Sequence, residues 1–231
     1  MALTIGLIVS VSITMKFFIE KGVNVKTIQF IKWVLIIIGA ITIYCMLSLQ
    51  MQYGITTKII SEMISPKLHP EAMEKVYMPM TNILLDTHDI TMASIVRDKV
   101  DPEMSIEDIE EAMAEVVIER NIKDVGQLPL SEQVELQLDK KQRFLKIYQY
   151  CKPTTAMIMV DHSDAFSAYL PCRIALIEDQ KGEKWLYSLN MDMMIYGGAP
   201  LPPELLKLAL EVKSTMTAIQ KAGAGKEVDD E

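Results

Sequence analysis

From Trp33 to Thr57 the chain carries no charged residue, and the stretch WVLIIIGAITIYCMLSLQMQY within it is apolar nearly throughout. No other feature restricts the fold as strongly. At 1.5 Å of rise per residue, about 20 helical residues cross the ~30 Å hydrocarbon core of a bilayer, so the run is long enough to span one. Trp33 and Tyr53 stand near its ends, where amphipathic rings favour the membrane–water interface. The run reads as a transmembrane helix over about residues 28–52 and not as the buried helix of a soluble domain. Cys45 lies inside it and reads as a small, inert helix residue.

The first 19 residues, MALTIGLIVSVSITMKFFI, are a weaker candidate for a second span over about residues 2–19. Lys16 interrupts them, but a lysine near a helix end can extend its amine to the interface. A secretory signal would want a basic leading region, and no basic residue precedes Lys16. Lys16, Lys21, Lys26 and Lys32 cluster around the loop between the two segments. By the positive-inside bias this loop faces the cytoplasm, and residues 1–53 form an anchor in the inner, cytoplasmic membrane. The rest of the chain then lies outside, in the periplasm of a Gram-negative bacterium. A single span beginning beside Trp33 gives the same orientation.

Glu20 is the only acid in the first 50 residues, so the remainder holds 19 basic and 30 acidic residues, a net charge of −11. Such a surface repels phosphate backbones and excludes nucleic acid as an expected partner. Three cysteines, one within an apolar run, do not make a disulfide scaffold.

Residues 54–87 read as a helical connector. PKLHP at 66–70 breaks any continuation of the membrane helix, and EAMEKVYMPMTNILLDT at 71–87 follows as a helix kinked or broken at Pro79. His69 and His88 have no histidine or cysteine at a metal-ligand spacing.

A domain begins near residue 88. TMASIVRDKV alternates as a strand. Ser105 opens SIED, which resembles a capping box, and Ile106, Ile109, Met113 and Val116 recur at helical spacing. Glu107, Glu110 and Glu111 fall away from that stripe and read as a solvated face. IKDVGQL is a strand and SEQVELQL a short helix or loop. In the strand FLKIYQYC, Leu145, Ile147 and Cys151 share a face. CRIALIE and KWLYSLN form a hairpin about DQKGE. Asn190 caps a short turn holding Met191, Met194 and Ile195. A final helix starts at the prolines near 202 and ends at Gly223, with Leu205, Leu208, Val212, Met216 and Ile219 as its inward stripe. KEVDDE, within residues 224–231, reads as a disordered acidic tail.

CKPTTAMIMVDHSDAFSAYLPCRIALIEDQKGEKWLYSLNMDMMIYGG resembles the DUF302 family. The resemblance rests on the CxP helix start (Cys151, Pro153), the LPCR strand entrance (Leu170 to Arg173), the hairpin residues Glu178, Asp179 and Gly182, and the NMDMM stretch. It covers about residues 88–223. It implies an α+β fold, a two-layer domain of a sheet backed by helices, often dimeric, with no established enzymatic activity. Here that domain follows one or two transmembrane helices. One departure is visible: Lys152 stands where the family usually has Asn, which could cap the following helix as lysine cannot.

Cys151 and Cys172 frame a helical segment between two strands. Strand, helix, strand is most simply a parallel crossover, which would leave the two thiols roughly 20 Å apart at opposite ends of seven-residue strands. That is too far for a disulfide. The alternative is that HSDAFSAYL doubles back as a second helix and brings the ends together. Cys151 precedes a helix N-terminus, where the dipole favours a reactive thiolate, although its apolar neighbours favour an inert one. The hairpin returns the chain to Cys172, so Cys172 with Met191, Met193 or Met194 offers soft donors for copper or a haem iron. The same methionines would equally serve as core filling.

Two functions follow as expectations. One is a membrane-anchored extracytoplasmic binding module, an accessory component of a membrane complex that meets a protein partner or a second copy. The chain has no phosphate loop, HExxH zinc motif or recognisable nucleophile–base pair to suggest catalysis. The other is a Cys/Met protein binding copper, haem or a sulfur species.

Overall fold

The computed structural model describes residues 25–54 and 67–228, with Lys58, Ser61 and Ser65 between them. The chain divides into two units, Met1–Ser65 and Pro66–Glu231. The expected span over residues 2–19 lies outside the described residues.

In the first unit, helix α1 runs over Val25–Tyr53. Within it, the 24 residues Gln29–Gln52 are long and apolar enough to cross a membrane, and none of their most apolar stretch is buried by the rest of the chain. Trp33, Ile38, Tyr44 and Leu47 are all more than half exposed.

The second unit opens with a π-helical turn, Met73–Tyr77, which runs into α2, Met78–Thr87, with Pro79 in its first turn. Pro79 has no N–H to donate to the preceding turn, and it directly follows the π-helical register in which Met78 N donates to the Met73 carbonyl. A short helix α3, Ile90–Ala93, leads into strand β1, Ile95–Lys99. Then come α4 (Ile106–Glu119), β2 (Lys123–Leu128), α5 (Leu130–Leu138) and β3 (Leu145–Cys151). Helix α6 (Pro153–His162) is followed by a 3-10 turn, Asp164–Tyr169. Strands β4 (Cys172–Glu178) and β5 (Lys184–Leu189), α7 (Asp192–Tyr196) and α8 (Pro203–Gly223) complete the unit.

The five strands form one antiparallel sheet in the order β1-β5-β4-β3-β2, and the fold is α+β. Tyr148 and Tyr150 of β3, Ile174 and Leu176 of β4 and Leu186 of β5 turn to one face. There they meet Ile109, Met113 and Val116 of α4 and Val212, Met216 and Ile219 of α8. The inward face of β3 is therefore its tyrosine face, while Leu145, Ile147 and Cys151 remain half-buried on alternate positions. The β4–β5 turn uses Gly182 at φ 80°, in the left-handed region that glycine enters without a Cβ penalty. At the end of α8, Gly223 lets helix and core approach closely: a Cβ there would come within 2.7 Å of Met113 Cγ.

The expected capping box is formed. Asp108 N donates to Ser105 Oγ at 3.1 Å, and Ser105 N donates to Asp108 Oδ2 at 2.8 Å. Glu110 departs from the expected solvated face. It accepts Lys146 Nζ at 2.6 Å and the Tyr148 hydroxyl at 2.5 Å, tying α4 to the sheet. Burial alone would raise its carboxyl pKa, but these two hydrogen bonds and the Lys146 charge outweigh it and hold the group below its ordinary value.

The π-helical turn packs on the domain through Val76, preceded by the buried Ala72, whereas α2 has no buried residue. Val76 is buried with Met159, Ile195, Tyr196 and Leu205 in a second apolar cluster. The Tyr77 hydroxyl donates to the Gly197 carbonyl at 2.5 Å, and His69 N donates to the Gly198 carbonyl at 2.8 Å. The start of the expected tail is likewise held in place. Ala224 is buried, its carbonyl accepts from Asp101 N at 3.1 Å, and Lys226 pairs with Asp98 at 2.6 Å.

Candidate functional site

Between β3 and β4 the expected crossover is replaced by a reversal. The ten-residue α6 runs away from the end of β3, and the 3-10 turn at Asp164–Tyr169 returns the chain to the same end. The two strands are therefore antiparallel, with Tyr150 opposite Cys172 in the ladder. Cys151 lies one residue further on, so the cysteines occupy one end of the sheet and not opposite ends. They remain free thiols.

The Lys152 departure has the local consequence expected of it. Lys152 is the N-cap of α6, and its side chain makes no cap hydrogen bond. It forms an ion pair with Glu211 of α8 instead, so the helix start is tied to its neighbour by charge.

Both thiols line one small cavity beneath α6. Met159 of α6 and Met191 and Met194 beside α7 share its wall. The cavity measures about 30 Å³ and is almost entirely apolar, with room for one or two water-sized bodies. A second cavity of about 30 Å³ adjoins the same side chains: Cys172, Met191 and Met194 line it together with Met216 and Tyr169. The trio Cys172, Met191 and Met194 is thus common to both. Of the NMDMM run, Met191 and Met194 line the same cavities as Cys172. Met193 turns outward, 38% exposed, to line a different cavity with Tyr77 and Met80. Asn190 contributes by capping: its Oδ1 accepts from Asp192 N at 2.9 Å and fixes the start of α7.

Burial pushes the Cys172 thiol up to about 11, with the Cys151 charge adding to the effect and Arg173 opposing it. Burial also raises Cys151, so desolvation outweighs the helix N-terminus that follows it. Both thiols are therefore neutral near pH 7. Among the described residues no three His, Cys, Asp or Glu side chains converge as a metal-binding group. The donors gathered here are thiol and thioether sulfur, which suit a soft cation. A haem macrocycle does not fit cavities of this size.

A larger cavity of about 250 Å³ opens between β1, the end of β5 and α8, where Asp98, Asp192, Lys213 and Gln220 meet. Its carboxylates are already engaged. Asp98 accepts Gln220 Nε2 at 2.8 Å and pairs with Lys226, and Asp192 pairs with Lys213.

Sequence reasoning missed Cys151 and Met159 as neighbours of Cys172. Only the phrase HSDAFSAYL, with its capacity to turn back, signalled that the strand ends could meet. Comparison with known proteins adds the following. A family model described as "Domain of unknown function DUF302" matches residues 98–223. Among solved structures, "Crystal structure of uncharacterized conserved protein DUF302 from Bacillus stearothermophilus" matches at 14% identity and a TM-score of 0.46, covering 55% of this chain and 96% of that one. No curated protein matches the sequence.

Proposed function

The chain belongs to the DUF302 family, and from that footing we propose that it is a membrane-anchored binding module whose α+β domain faces the extracytoplasmic side. The observation that carries the reading is α1: over the 24 residues Gln29–Gln52, Lys32 is the one charge, and their most apolar stretch is unburied. A helix that is apolar on every side needs an apolar surrounding on every side, and a bilayer supplies it. Lys26 and Lys32, towards the N-terminal end of α1, support an orientation with that end in the cytoplasm and the domain outside. A partner protein of a membrane complex, or a second copy of the chain, is the macromolecule such a tethered domain would meet. Its acidic surface disfavours nucleic acid.

The test is made on a bacterial inner membrane carrying the full chain. Alkaline carbonate should leave the protein in the membrane pellet, and protease added to intact spheroplasts should digest the domain. A chain released by carbonate, or a domain protected until the membrane is lysed, would refute the anchor or its orientation respectively.

A further inference from the structure

We propose that Cys172, Met191 and Met194 form a binding site for a single Cu(I) ion, with Cys172 as the one thiolate ligand. The proposal rests on the binding-module reading for its setting and names what the domain binds. Three structural observations converge on it. The reversal after β3 and the β4–β5 hairpin deliver these three residues to one end of the sheet, from two strand ends and a short helix. Two cavities share all three residues on their walls, so Cys172, Met191 and Met194 border common space. Each cavity has room for an ion and little else, and the first is almost wholly apolar.

Charge decides the number of thiolates. Burying a net charge in an apolar site is expensive unless it is compensated. Cu(I) carries one positive charge, so one thiolate and two neutral thioethers give a neutral assembly. A second thiolate from Cys151 would leave a net negative charge in the same apolar space. Cys151 lines only one of the two cavities, and it stays a neutral thiol. Cu(I) suits thiolate and thioether sulfur. As Cu(I) enters, a Cu–S bond forms at Cys172 and its proton leaves to solvent, while the two thioethers ligate with lone pairs and release nothing. Copper keeps its oxidation state throughout.

The purified full chain, in detergent and free of oxygen, is titrated with Cu(I) against a competing chelator such as bathocuproine disulfonate. A Cys45→Ala background confines the thiols to the domain. The expected result is one Cu(I) per chain, one proton released per ion, and sulfur-only coordination by X-ray absorption. Cys172→Ser should abolish binding. Met191→Leu and Met194→Leu should each weaken it by about 10-fold or more, the lower range already seen for outer-shell partners of metal sites. Cys151→Ser and Met193→Leu should leave it unchanged. Should Cys172→Ser fail to fold, the proton count and coordination of the parent protein still decide. Absence of binding, two protons released per ion, nitrogen or oxygen ligation, or equal losses in Met193→Leu would each overturn the proposal. None of these outcomes bears on carbonate extraction or protease access, so the site and the anchor fail separately.

Discussion

Among the described residues, helices α1 and α8 are the two longest, at 29 and 21 residues, and they satisfy opposite demands. Around α8 the apolar residues make one stripe, with Leu205, Ala209, Val212, Met216 and Ile219 buried. Glu204, Lys207 and Glu211 lie on its outer side. One protein layer suffices to bury such a helix. Around α1 the apolar residues face every direction, and Phe30, Ile36, Ile41 and Leu47 are all exposed. A single layer could cover only a fraction of them. The second unit thus folds about its own apolar faces, whereas α1 presents its apolar residues outward on every side.

The most severe test of this contrast truncates one isoleucine in each helix. Ile219 is fully buried against the sheet, whereas Ile38 is 54% exposed. Ile219→Ala should destabilise the domain by about 2–5 kcal/mol, the usual cost of removing a core side chain and leaving a cavity. Ile38→Ala should change domain stability by less than about 0.5 kcal/mol, as for a surface site. Urea denaturation of the full chain in detergent, followed by far-UV circular dichroism, measures both. Equal losses would mean that α1 is packed by the chain and that the contrast is false.

The cysteines sharpen the comparison with a smaller effect. Cys45 is exposed on α1, and Cys172 is half-buried at the sheet end. In intact vesicles, a water-soluble alkylating reagent should label Cys172 slowly at pH 8 and faster as pH rises towards about 11, where its thiolate forms. If α1 spans the bilayer as proposed, Cys45 should stay unlabelled throughout. Labelling of Cys45 at the rate of a free thiol would place α1 in water. The sign for stability follows from the raised Cys172 value. The neutral thiol's contribution is complete below the ordinary value of 9.0 and is lost as pH climbs through about 11.

What could be read beforehand divides along physical lines. Period and capping are local, so the strands at 145–151 and 172–178, the hairpin about Gly182 and the Ser105 box were legible from spacing alone. Direction and facing are not local. FLKIYQYC is apolar on both of its faces, and nothing within it says that Tyr148 and Tyr150 go inward. Whether α6 leads to a parallel or an antiparallel strand depended on how far the 3-10 turn at Asp164–Tyr169 folds back. That choice moved Cys151 from the far end of the sheet to the side of Cys172. Glu110 was misjudged for a related reason: the helical wheel puts it off the apolar stripe, but Lys146 and Tyr148 are supplied by a strand 36 residues later. The packing of Val76 with Ile195 and Tyr196 has the same origin, since residues some 120 apart carry no mutual signature.

The smallest effect concerns how helices begin. Helix α4 starts with Ser105 and Asp108 exchanging hydrogen bonds, and it carries Glu107 and Asp108 in its first turn, where they favour the positive end of the helix dipole. Helix α1 has no acidic residue in its first turn. Ser105→Ala removes the oxygen that accepts Asp108 N, so an N–H group at the start of α4 loses its partner. The domain should lose about 1 kcal/mol, the typical cost of deleting an N-cap side chain. Membrane retention should not change, because α1 owes nothing to that bond. The Ser105 hydroxyl and backbone N–H also hold the Asp108 carboxyl below its ordinary value of 3.8. A carboxyl lowered on folding stabilises above that value and ceases to do so as pH falls through its folded value. The gap between parent and variant should therefore narrow in acid below about pH 4. A gap that stays constant through that range would show that Asp108 takes no part in the cap and that Ser105 acts alone.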